Sequence, residues 1–166
     1  MKNKKAVTVK TANGLSSDSR AKAVALLNHH LPAAIDLHAQ IKQAHWNVRG
    51  AQFIALHELF DDISEEADGW VDTLAERAGA LGGAAEGTIQ VAVKQSYLDP
   101  YLLKIAGCEA HVKALSKALA KLGDHVRQAI DDASDIKDAD TADLFTEISR
   151  EVDQALWKVE SHNEPE

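Results

Sequence analysis

HWNVRGAQFIALHELFDDISEEADGWVDTLAE, residues 45–76, decides the fold and carries the chemistry of this chain. It holds two pairs of ligand-type side chains four residues apart, His57 with Asp61 and Asp72 with Glu76, and His45 stands just upstream. Residues four apart lie on one face of a helix, so each pair can grip one ion. The step from Asp61 to Asp72 is about three turns, which keeps both pairs on one stripe. At about 1.5 Å rise per residue they are nevertheless roughly 16 Å apart along the axis. No single ion spans that gap within one chain. If the two pairs form one site, the second comes from a neighbouring, antiparallel subunit.

The same stretch fixes its own helix. Phe60, Ile63, Ala67, Trp70, Leu74, Ala78 and Leu81 recur at three- and four-residue steps, and Asp61, Glu65, Asp68, Asp72 and Glu76 fall opposite them. The pattern predicts a helix from about Phe53 to Leu81, ended by Gly82-Gly83. An acidic stripe opposite an apolar one is ordinarily just the solvated face. Imidazole and carboxylate together at helical spacing point further, because redox-active metals accept both donors. Di-iron carboxylate bundles of the single-chain kind use Glu-x-x-His motifs aimed into their own core. None occurs here, so a single-chain di-iron centre is disfavoured and a site shared between chains stays open.

Upstream, Val24, Leu27, Leu31, Ile35 and Ile41 predict a first helix from about Ser19 to Asn47, with Pro32 expected to kink it or remove a hydrogen bond. Downstream, residues 84–105 mix β-branched residues with Asp99-Pro100 and read as a crossover carrying a short helix. Two further helices are expected, about Glu109–Asp132 on Val112, Leu115, Leu119, Leu122, Val126 and Ile130, and about Thr141–Ser161 on Leu144, Ile148, Val152, Ala155, Leu156 and Val159. Asp140-Thr141 reads as the cap of the last helix. The expected architecture is therefore an all-α four-helix bundle with one long crossover. Residues 1–15 read as a flexible basic N-terminal arm, and residues 16–166 as one domain.

Composition narrows the classes further. A chain of 166 residues, 45% apolar and 27% charged, can bury a core of its own. No apolar run reaches the roughly 20 residues a membrane helix needs, and no secretory signal is visible. One cysteine, Cys108, leaves no intramolecular disulfide framework and suits a reducing compartment. It reads as a packed or half-buried thiol. A cytoplasmic protein is the expectation. The formal charge of −8 opposes nucleic acid over the bulk surface. Lys2, Lys4, Lys5 and Lys10 nevertheless lie together in the arm and form a candidate DNA contact. His29 and His30 read as surface or interface residues rather than ligands.

KQAHWNVRG (42–50), FIALHELFDD (53–62) and DTLAERAGALGG (72–83) together resemble the Dps family, the ferritin-like DNA-binding proteins of starved cells. GTIQV (87–91) and residues 138–161 fit the same pattern, so the resemblance covers nearly all the chain beyond the arm. It implies a ferritin-like bundle that assembles as a hollow dodecamer, with ferroxidase sites at two-fold dimer interfaces. His45, His57 and Asp61 would come from one subunit and Asp72 and Glu76 from its partner. Trp46 would sit close by, where an aromatic can intercept an oxidising radical. The implied chemistry is oxidation of Fe(II), with hydrogen peroxide preferred over dioxygen, and storage of the ferric mineral. Binding to the nucleoid through the arm is the structural alternative. Asp143 matches an acidic position lining the family's pore for iron. The neighbouring acidic position is Ala139 here, with Asp138 and Asp140 flanking it.

Overall fold

The computed structural model describes residues 9–163. Its helices run in the order α1 (Ser17–Asn47), α2 (Phe53–Ala80), α3 (Ile89–Gln95), α4 (Cys108–Asp135) and α5 (Ala139–Glu160). The long helices form two hairpins, α1 with α2 and α4 with α5, and α3 rides in the crossover against α1. Among the described residues no helix is long and apolar enough to cross a membrane.

Local features set several of the helix ends. Ser16 caps α1 by accepting the Ser19 N–H at 3.0 Å. The helix passes Pro32 without a break, and that ring is buried in the bundle. α2 stops where Gly82 takes φ +83, a left-handed conformation that glycine adopts at no steric cost. Thr88 caps α3.

The apolar stripe expected on α2 is buried in full, from Phe60 to Leu81. It meets Leu27, Leu31, Leu37 and Ile41 of α1, Leu115, Leu119 and Leu122 of α4, and Ile148, Val152 and Val159 of α5. Phe145, absent from the stripe read for α5, is fully buried, while Leu144 and Leu156 are half-buried. The helix faces the core a little further round than its leucines imply.

Two interfaces hold the ends together. Between α1 and α2, Arg49 forms a short parallel bridge with Gly107: its N–H donates to the Ala106 carbonyl at 2.7 Å and its carbonyl accepts the Cys108 N–H at 3.1 Å. This ties the loop before α2 to the start of α4. In the crossover, both tyrosines are fastened to buried histidines, Tyr97 to His30 at 3.0 Å and Tyr101 to His111 at 2.6 Å.

His30 therefore corrects the surface assignment. It is 2% exposed, packs edge-on to Phe145, and burial, then its neighbours His29 and His125, push its pKa down to about 3. Its partner Tyr97 arrives from a segment 67 residues away, which helical spacing cannot reveal.

The last helix starts earlier than expected. Asp138, not Asp140-Thr141, is its N-cap: the carboxylate accepts the Thr141 N–H at 3.1 Å and the Thr141 hydroxyl at 2.6 Å. Arg77 of α2 donates to the same carboxylate at 2.7 Å. Residues 9–15, the described part of the arm, make contacts through their backbone. The Val9 N–H donates to the Gly82 carbonyl at 2.7 Å, and Arg20 donates to the Leu15 carbonyl at 2.5 Å.

Candidate metal centre

α1 ends at Asn47, so its last carbonyls lack helical partners. His57, one turn into α2, fills one of these vacancies: its Nδ1 lies 2.9 Å from the His45 carbonyl. His45 returns the contact, with Nδ1 2.8 Å from the His57 carbonyl. A carbonyl only accepts, so both Nδ1 atoms must carry the proton. In the neutral tautomer of each ring Nε2 is then the nitrogen without a proton, the form in which imidazole binds a metal. The rings stack with centroids 3.8 Å apart and planes 19° from parallel. Phe53 leans on the His57 ring at 5.1 Å.

Asp61, one turn beyond His57, places its Oδ1 3.9 Å from His45 Nε2. Lys42, one turn before His45 on α1, donates to the same oxygen at 2.5 Å. That hydrogen bond, with the fields of His45, Lys42 itself and His57, holds the Asp61 carboxyl below the usual carboxylate range. The Lys42 ammonium thus pairs with the carboxylate directly. Lys42 lies outside the expected ligand set, although it precedes His45 by three residues and so shares its helix face. The residues around Asp61 extend into an open cleft of about 240 Å³ lined by His38, Asp62, Glu65 and Asp68.

Asp72 and Glu76 stand exposed further along α2 and do not join this group. Among the described residues no three His, Cys, Asp or Glu side chains converge within one chain to hold an ion. His45, His57 and Asp61 lie near one another, and Asp72 and Glu76 lie apart from them. Large apolar side chains are exposed in the segment that carries His45 and His57: Trp46 is 60% exposed, Ile54 60% and Phe53 39%. Large apolar side chains grouped at an incomplete ligand set are what a partner subunit would cover.

The other expected sites fare differently. Asp140 and Asp143 are exposed at the start of α5. Asp138 is 1% exposed and fully engaged by the cap and Arg77, so it has no face to offer a pore. Lys10 is exposed, while Lys2, Lys4 and Lys5 lie outside the described residues.

Comparison with known proteins follows this geometry. The family model for the ferritin-like domain matches residues 24–164. A curated relative from Agrobacterium fabrum, named DNA protection during starvation protein, is 41% identical over 93% of this chain and 96% of its own length. Among solved structures, the Dps of Mycobacterium smegmatis superposes with TM-score 0.90 at 32% identity, covering 95% of each chain. DpsA14 of Streptomyces coelicolor superposes with TM-score 0.90 at 33% identity, covering 96% of this chain and 95% of its own. The chain belongs to the Dps family of ferritin-like proteins.

Proposed function

We propose that this chain is a ferroxidase and an iron store, working as a hollow dodecamer in the cytoplasm. Fe(II) is its substrate and the ferric mineral its cargo. His45 and His57 offer Nε2 and Asp61 offers a carboxylate from one subunit; Asp72 and Glu76 offer carboxylates from the antiparallel partner. The observation that carries this reading is the reciprocal lock between His45 and His57, which spends both Nδ1 protons on backbone carbonyls and leaves both Nε2 atoms as donors.

The donor set fits iron. Imidazole suits Fe(II), and carboxylate suits the harder Fe(III) product. Two Fe(II) give two electrons to one hydrogen peroxide. With two waters, this yields two ferric oxyhydroxide units and four protons, with no hydroxyl radical released. Dioxygen is the slower alternative oxidant. The exposed Trp46 beside the site is placed to intercept an oxidising radical. Asp140 and Asp143 supply negative charge for a pore that admits cations.

The test is a His45→Ala/His57→Ala double variant, with ferric absorbance followed by stopped flow and assembly followed on a sizing column. Oxidation is expected to slow at least tenfold, on the scale of lost metal-site contacts, with the shell intact. An unchanged rate would place the reaction elsewhere.

A second reading is physical shielding of DNA. The Agrobacterium relative is named for DNA protection, and Lys2, Lys4, Lys5 and Lys10 form a cluster without an acidic residue among them. Both functions can reside in one particle.

A further inference from the structure

Away from the ligands described above, three histidines and a tyrosine meet on the seam between α1, the crossover and α4. Tyr97 stacks on His125 with ring centroids 3.9 Å apart and planes 20° from parallel. His29 lies 5.4 Å from Tyr97 and 6.4 Å from His125. His30 sits edge-on to His29 at 5.1 Å and holds the Tyr97 hydroxyl. The four rings do not have equal roles. His30 is buried and its Nδ1 is spent on Tyr97, so it supports the cluster without facing outward. His29 is exposed and His125 half-buried, so their rings are the ones an ion from solvent can reach.

We infer that His29 and His125 form a second metal site, a two-imidazole clamp for one divalent ion of the later first transition row, separate from the proposed ferroxidase centre. The spacing carries the inference. A metal bound to an imidazole nitrogen at about 2.0–2.1 Å lies about 3.2 Å from the ring centre. Two rings on one ion therefore have centres between about 4.5 and 6.4 Å apart, depending on the angle at the metal. The observed 6.4 Å equals the separation for nitrogens on opposite sides of one ion, and rotation of the exposed His29 brings the rings to smaller angles.

Preorganisation favours it as well. His125 is fixed by its stack on Tyr97, and Tyr97 is fixed in turn by His30. The nearby Lys121 is drawn off by an ion pair with Asp99 at 3.0 Å, which lessens its opposition to a cation. Among the described residues no third His, Cys, Asp or Glu side chain completes the set. Water must fill the remaining positions, and the affinity is that of two imidazoles. Such a donor set selects Cu(II), Ni(II) or Zn(II) over Mg(II) or Ca(II), with Cu(II) the strongest.

The test uses assembled protein carrying His45→Ala and His57→Ala, which removes the imidazoles of the ferroxidase centre. Cu(II) is titrated in and followed by electron paramagnetic resonance. One equivalent per subunit is expected, with nitrogen hyperfine structure from two imidazoles. His29→Gln and His125→Gln should each abolish that two-nitrogen signal and weaken the equivalent at least tenfold. His29 is exposed, so its substitution leaves folding intact and keeps the experiment decisive even if His125→Gln is unstable. A two-nitrogen signal that survives in His29→Gln, or no such signal before substitution, overturns the assignment.

Discussion

His45 and His57 each donate the ring Nδ1–H to the other's backbone carbonyl, at 2.8 and 2.9 Å. This exchange does two jobs with the same four atoms. It satisfies a carbonyl that α1 leaves unpaired at its end, and it fixes the protonation pattern of two prospective ligands. Helix termination and the tautomers of the proposed ligands are thus coupled. A substitution that frays the end of α1 also unlocks the tautomers.

Lys42 stands in for a cation at Asp61. Lys42→Gln removes the strongest of the contacts that hold Asp61 ionised to low pH. It also removes a positive charge beside the proposed site. Fe(II) is expected to bind several-fold more tightly at neutral pH, because the ion no longer displaces an ammonium. The initial binding phase, titrated anaerobically, checks this. Unchanged affinity would mean that Asp61 does not meet the ion.

Asp138 is structural. Asp138→Ala leaves Arg77 without its buried partner and α5 without its cap. Breaking such a pair costs about 3–5 kcal/mol, and the lost cap adds roughly 1 kcal/mol. Asp140→Ala, at an exposed position, should cost less than about 1 kcal/mol. Denaturant midpoints of the two variants measure the contrast. Equal losses would refute the assignment of Asp138 to the cap.

His30 links stability to acid. An unfolded chain takes up a proton on this residue near the ordinary value of about 6.5, whereas the folded chain resists until about pH 3. Between those values the unfolded state binds more protons, so stability falls as pH drops from about 6.5 toward 3 and is unaffected above that window. His30→Gln cannot titrate. It should lower stability at neutral pH by about 1–2 kcal/mol through imperfect burial, yet show a shallower loss on acidification. Melting temperatures between pH 7 and pH 4 decide it, and parallel curves would contradict the account.

DNA binding, if the chain has it, should run through the first residues. Deleting residues 1–8 removes Lys2, Lys4 and Lys5 but keeps the Val9 contact with Gly82. Affinity should drop and the dependence on salt should flatten, since fewer counterions are released. Iron oxidation should be unaffected. Gel-shift titrations over a salt series compare the two forms, and equal binding by both would exclude the arm.

Much of this was legible in the chain because helices write their core in a fixed period. The α2 stripe from Phe60 to Leu81 named its own buried face, and the glycines after it named the end. The ligand spacing also implied that the two pairs cannot meet within one chain, and among the described residues they do not. What stayed hidden depends on contacts between distant segments. His30 looks like a surface residue until Tyr97 folds over it from the crossover. Asp138 looks like a pore acid until Arg77, 61 residues earlier, reaches its carboxylate. The Nδ1 locks depend on where α1 ends relative to α2, which no periodicity encodes. Lys42 was visible by spacing alone, but only a folded Asp61 shows what it neutralises.

The central claim is that two subunits share each ferroxidase site, and complementation tests it most directly. One variant carries His45→Ala and His57→Ala; the other carries Asp72→Ala and Glu76→Ala. Neither should oxidise Fe(II) quickly. In a shell assembled from an equal mixture, a mixed two-fold dimer has one site lacking both halves and one site complete. Random pairing should then restore about a quarter of the wild-type rate, since each symmetric interface holds two sites. No recovery in verified mixed shells, or full activity in the Asp72→Ala/Glu76→Ala parent, would contradict the shared site.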